Sequence, residues 1–162
     1  MGRAFVFGDN IDTDLLSPGH AMKLQPQEMA KFCLEAVDPT FASTVKPGDV
    51  VVAGTNFGMG SSREQAAISL KLLGVSAVFA KSFARIFYRN AINAGLPVLV
   101  LPEADQIAAG DEVAFDLGAG VVRDLTTGRD FQFQGLPPHL LTLIEDGGLL
   151  PNLMRRFGKA VA

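Results

Sequence analysis

The sequence has few of the residues that hold metals or cross-link a chain. Its 162 residues include one cysteine, Cys33, and two histidines, His20 and His139. A single thiol cannot close an internal disulfide, which fits a reducing compartment and an expectation of a cytoplasmic protein. Iron–sulfur clusters ordinarily take several cysteine thiolates, and zinc sites take Cys and His at ligand spacing. The two histidines lie far apart and neither has a spaced partner, so no metal site is expected on this chain. An excess of basic residues is also missing. Fourteen Lys and Arg stand against 17 Asp and Glu, for a net charge of −3 and a pI near 5.3. That balance argues against a nucleic-acid binder. No apolar run approaches the roughly 20 residues of a membrane-spanning helix. The opening MGRAFVFGDN has one basic residue and a very short apolar stretch, so it is not expected to be a signal peptide, and it carries no myristoylation pattern. Low-complexity tracts, internal repeats and long linkers are absent too. With 48% hydrophobic residues, residues 1–162 are expected to fold as a single domain around a core of their own.

Periodicity supplies a coarse order of elements. Residues 3–8 read as a strand closed by the turn-rich GDNIDTD, and 15–25 as a loop. A helix is expected from Pro26, with Met29, Phe32, Cys33, Ala36 and Val37 on one face and Pro39 beyond its end. Asp49 to Ala53 is a strand that runs into GTNFGMGSS. A helix follows over 63–73, closed by Gly74. Val75 to Ala80 is a strand, Ser82 caps a further helix ending at Gly95, and Val98 to Leu101 is a strand. This alternation is the signature of parallel β/α units. EVAFD, GVVRD and DFQFQ then read as an antiparallel meander, and two helices, 137–144 and 149–157, close the chain. The fold class is α/β, with parallel and antiparallel parts sharing one core.

The most informative segment is GTNFGMGSSREQA, residues 54–66. Three glycines within seven residues, between a buried strand and a helix, let the backbone approach a ligand closely. Arg63 offers a planar fork suited to a carboxylate, beside the hydroxyls of Ser61 and Ser62. The same residues also satisfy a structural pattern. Ser61 with Glu64, and Ser62 with Gln65, match a capping box, so pure capping stays open. A dinucleotide site is weaker: Arg63 stands where a third glycine belongs, no acid closes the strand ending at Ala80-Lys81, and there is no P-loop Gly-Lys-Ser/Thr.

GTNFGMGSSREQA, followed by AVFAKSFARIFYRNAINAGLPVL, resembles the small subunits of the 3-isopropylmalate dehydratase and homoaconitase family and, more distantly, the swivel domain of aconitase. The opening GDNIDTDLLSP and the closing PPHLLTLIEDGGL keep the family's order, so the resemblance runs over nearly the whole chain. It implies a swivelling β/β/α domain, a mixed sheet with flanking helices, that docks on a large subunit carrying a [4Fe-4S] cluster. It implies a hydro-lyase that dehydrates and rehydrates a malate-like hydroxy acid, of the leucine-biosynthesis type, inactive without its partner. By the same resemblance Ser61 is the base that takes the α-proton, Arg63 holds a substrate carboxylate and Ser62 helps bind substrate. An α-proton is poorly acidic, so such chemistry needs a desolvated base and cations that neutralise the developing charge.

The chain departs from the family pattern in places. Met59 and Gln65 stand where members often carry Cys and His. Where archaeal-type members have Pro-Ala-Arg-Tyr-Leu, this chain has Pro18-Gly19-His20-Ala21-Met22. The family's second substrate-binding arginine is therefore replaced by His20, or is absent with Lys23 in compensation. Lys23 would suit a substrate with a further carboxylate; a solvated loop lysine is the plainer reading. Asp12 and Asp14 read as turn-stabilising acids. Arg85 and Arg89 share a helix face that is either solvated or turned to the partner. Met22, Met29 and Met59 are packing groups and Cys33 an inert core thiol. A non-catalytic anion-binding or regulatory module that keeps the fold remains the competing reading.

Overall fold

The computed structural model describes residues 2–61 and 63–158. Seven strands form one sheet: β1 (Gly2–Val6), β2 (Val50–Ala53), β3 (Ala77–Ala80), β4 (Val98–Val100), β5 (Glu112–Asp116), β6 (Val121–Asp124) and β7 (Arg129–Gln132), in the order β4-β3-β2-β1-β5-β6-β7. The first four are parallel, with Val51 of β2 opposite Phe5 on one side and Val78 on the other. β5 joins the edge of β1 in antiparallel register, Gly2 opposite Val113, and β5–β7 form the expected meander.

The central parallel strands β2 and β3 are apolar and buried at every position, as strands covered on both sides must be. Side chains alternate along a strand, so Val51, Ala53, Val78, Ala80 and Val98 belong to one apolar cluster, while Val50, Val52, Ala77, Phe79 and Leu99 belong to another. Helices α4 (Gln65–Leu72) and α5 (Arg85–Asn93) cover the first face with Leu70, Phe87 and Ala91. The meander curls over the second with Val113, Val122 and Phe131. The result is three layers: helices, parallel strands, meander. Two apolar clusters separated by the parallel strands replace the single shared core expected above, because β2 and β3 are buried from both sides.

Three local expectations are corrected. The region 15–25 is not all loop: a turn of helix, α1 (Thr13–Leu16), precedes a short 3₁₀ turn at Gly19–Ala21. The helix begun at Pro26 keeps α-form only through Ala30 (α2, Pro26–Ala30) and then tightens into successive i→i+3 turns. Among these turns Leu34 takes a left-handed φ of 60°, with its N–H bonded to the Leu15 carbonyl at 2.8 Å and its side chain fully buried. Ser82 does not cap α5; its Oγ accepts from Asn56 N at 2.8 Å, and extended Ala84 occupies the cap. A further turn of helix, α3 (Phe41–Thr44), was not read from the pattern; it buries Phe41 edge-on against Phe5 and Phe7. The closing helices α6 (Pro138–Glu145) and α7 (Leu149–Phe157) stand as expected.

Candidate active site

The glycine-rich loop leaves the carboxyl end of β2, the edge where parallel α/β sheets present their ligand sites. Two neighbouring loops zip it in place. Gly58 N–H donates to the Ile11 carbonyl at 2.7 Å, and Thr13 N–H donates to the Met59 carbonyl at 2.9 Å. On the other side Phe57 N–H donates to the Ser82 carbonyl, and Ala84 N–H returns a bond to the Phe57 carbonyl. Phe57 itself is fully buried against Phe83 and Phe87 and anchors the loop to the helix layer. Gly58 is required here. Its φ is +84°, and a Cβ would lie 2.2 Å from the Phe87 ring.

On this base stand two pairings between α1 and the loop. Ser61 N–H donates to Thr13 Oγ1 at 3.1 Å, and the two hydroxyl oxygens are 3.2 Å apart. Arg63 Nη1 donates to the Asp14 carboxylate and to the Ser17 carbonyl, the latter at 3.0 Å. Successive residues of α1, Thr13 and Asp14, thus hold Ser61 and Arg63. Asp12 starts that helix by accepting from Leu15 N at 2.8 Å, the turn role expected of it. Asp14 is different: it is the partner of Arg63. Among the described residues Arg63 Nε and Nη2 have no hydrogen-bond partner, which leaves one edge of the fork for a carboxylate. Ser61 is exposed.

Ser61 does not cap α4. That helix starts at Gln65 with Glu64 at its cap and no side-chain capping bond. An anion at this site is therefore received by Arg63 more than by the helix start, where Glu64 places a negative charge of its own. Ser62 lies outside the described residues. His20 is turned elsewhere: its Nε2 meets Glu35 Oε1 at 2.6 Å, and its ring packs edge-on against Phe32. Lys23 is exposed, with no hydrogen bond or ion pair among the described residues. The structure thus brings Ser61 and Arg63 together through α1 and ties His20 to the α2 segment. Sequence reasoning missed Thr13; Asp12 as a possible N-cap residue was the one local signal for the helical turn that carries it.

The donors of this chain do not fit a metal cluster. Cys33 is 1% exposed, and burial pushes its thiol far up from the usual range. No group of three His, Cys, Asp or Glu side chains converges among the described residues. Neither of two surface grooves is lined by Ser61 or Arg63. One, of about 650 Å³, is lined by Glu64, by Ile68 and Leu72 of α4, by Asn90 and Asn93 of α5 and by apolar residues of α7, and another, of about 700 Å³, lies between β4 and the segment 132–140.

Residues 10–104, more than half of the chain and including both loops of the site, match the family model described as the aconitase C-terminal domain. The chain belongs to the aconitase C-terminal domain family. Among members of similar size, the 3-isopropylmalate dehydratase small subunit of Nautilia profundicola is 52% identical over 150 residues, covering 92% of this chain and 90% of the relative. The 2,3-dimethylmalate dehydratase small subunit of Eubacterium barkeri is 53% identical over 151 residues, covering 92% and 93%. A crystal structure of 3-isopropylmalate dehydratase from Methanocaldococcus jannaschii superposes with a TM-score of 0.91 at 43% identity, covering 96% of this chain and 93% of that one. The curled mixed sheet with flanking helices is the family's fold.

Proposed function

We propose that this chain is the small subunit of a two-subunit hydro-lyase that dehydrates and rehydrates a malate-like 2-hydroxy acid, and that it supplies the proton-transfer half of the site. The observation that carries the reading is the joint placement of Ser61 and Arg63, held by adjacent residues of α1 at the carboxyl edge of the parallel strands. Relatives named as dehydratase small subunits, similar over nine-tenths of both chains, support the reaction class. Arg63 grips a substrate carboxylate with its open edge. Ser61 Oγ, in its deprotonated form, takes the proton from the carbon next to that carboxylate while the hydroxyl leaves the neighbouring carbon as hydroxide. The hydroxide then takes up the proton from Ser61, giving an unsaturated acid and water and returning Ser61 to its deprotonated form. Rehydration with the opposite regiochemistry completes an isomerisation. The arginine charge stabilises the carbanionic character that develops between these events.

An exposed Ser61 leaves this half-site open to water, and a second subunit would close it and exclude solvent. That partner would also carry the [4Fe-4S] cluster, since the donors here do not fit one. The capping reading would have Ser61 start α4, but its hydroxyl faces Thr13. The competing reading, a non-catalytic anion-binding or regulatory module, would keep Arg63 for the anion and show no turnover. An alkyl-malate of the leucine-biosynthesis type is the first choice of substrate, in a cytoplasmic single-domain subunit. The test is co-purification with the large subunit, followed by ultraviolet assay of unsaturated product on isopropylmalate, dimethylmalate and homocitrate. Turnover of a malate-like acid by the complex alone supports the proposal; a complex inert on all three contradicts it.

A further inference from the structure

We infer that Thr13 is a positioning residue for Ser61, donating its hydroxyl proton to Ser61 Oγ so that the oxygen is aimed and its deprotonated form is stabilised. The inference rests on the proposed role of Ser61 as base.

The argument is an inventory of donors. Thr13 is 3% exposed, so its hydroxyl has little access to bulk water. One lone pair of Oγ1 is taken by Ser61 N–H at 3.1 Å, a group that can only donate. Among the described residues, the one other hydrogen-bond partner of Oγ1 is Ser61 Oγ at 3.2 Å. If the serine donated to the threonine, the buried threonine proton would lack an acceptor. If the threonine donates, every group at the contact is satisfied, and the serine proton is free to point outward. Once Ser61 loses that proton its oxygen can only accept, and the threonine bond becomes charge-assisted and stronger.

The backbone fixes this geometry from both ends. Thr13 N–H is tied to the Met59 carbonyl, and Asp12 caps the turn that carries Thr13. Gly60, at φ +113°, passes so close that a Cβ there would lie 2.9 Å from Thr13 Oγ1. A bond whose partners are both locked in place costs no reorganisation when charge develops on one of them.

The experiment compares Thr13→Val, Thr13→Ser and Thr13→Cys in the complex with the large subunit. Thr13→Val should lower kcat about 10- to 100-fold, the effect of losing a hydrogen bond to a charged group. KM should change little, and the ascending limb of the kcat–pH profile should move to higher pH. Thr13→Ser should restore both. If the valine variant fails to fold, Thr13→Cys, with its weak S–H donor, should still show the shifted limb and a lowered kcat. An unchanged kcat and pH limb in a folded Val or Cys variant overturns the inference. The Ser61→Ala background separates the two ideas. Normal turnover in Ser61→Ala sinks the base assignment and this inference with it. An inactive Ser61→Ala beside a fully active Thr13→Val sinks the inference alone. In the Ser61→Ala background, Thr13→Val should cost nothing further.

Discussion

Asp14 and Arg63, 49 residues apart, form an ion pair that orients the one cation of the glycine-rich loop. The guanidinium side chain is mostly covered while the carboxylate is largely exposed, so the pair contributes little to stability, roughly 1 kcal/mol or less. Its effect should appear in binding. Asp14→Ala is expected to raise KM about tenfold with a smaller change in kcat, because the fork loses its aim. Arg63→Lys keeps the charge but not the fork and should impair both KM and kcat. Steady-state kinetics of the complex, beside unfolding of each small subunit alone, would distinguish these effects.

Gly58 should tolerate no side chain. At φ +84° with Phe87 in the way, Gly58→Ala combines backbone strain with overpacking, and a loss of about 2–4 kcal/mol is expected. Denaturant unfolding checks it; a wild-type midpoint would mean that the loop can shift freely around Phe87.

Much of this architecture was legible in the sequence, and the reasons differ by element. The runs VVVA and AVFA announced strands buried on both faces, and the alternation in EVAFD and GVVRD announced the meander. Local pattern failed where a distant partner decided the outcome. Leu34 leaves the helical conformation where Leu15 holds its N–H, and Ser82 is drawn from its capping role by Asn56. At the site, Ser61 and Arg63 were legible from their loop and its family resemblance. The contacts from Thr13 and Asp14 were not, because nothing local in either segment encodes a contact 48 or 49 residues away.

The meander carries a pH-sensitive contact. Asp124 is fully buried beside the buried Asp111. Burial first, and Asp111 second, push its carboxyl above the usual range, although bonds from Thr126 and Thr127 N–H pull the other way. The folded state therefore holds this proton more tightly than the unfolded chain. The resulting stabilisation is fully present below the ordinary carboxylate pKa and is lost as pH rises through the raised one. Asp124→Asn imitates the protonated acid. It should match the wild type near about pH 4 and be the more stable protein at about pH 8. Thermal melts at both pH values test this; a variant less stable at both would refute it.

Lys23 is exposed and has no hydrogen bond or ion pair among the described residues. If it reads a further carboxylate, Lys23→Val should weaken homocitrate far more than isopropylmalate. A charged contact of about 1.5–3 kcal/mol shifts the ratio of kcat/KM values roughly 10- to 100-fold. An unchanged ratio would make Lys23 a solvated loop residue.

The central claim is that Ser61 performs chemistry and does not merely shape the loop, and Ser61→Ala addresses it most directly. The substitution removes one exposed hydroxyl and leaves the buried Thr13 hydroxyl without its acceptor, so the isolated subunit should stay folded and lose about 1–3 kcal/mol in denaturant unfolding. In the complex, kcat should fall by several orders of magnitude while KM stays near the wild-type value. Near-normal turnover by the folded variant would show that Ser61 is not the base.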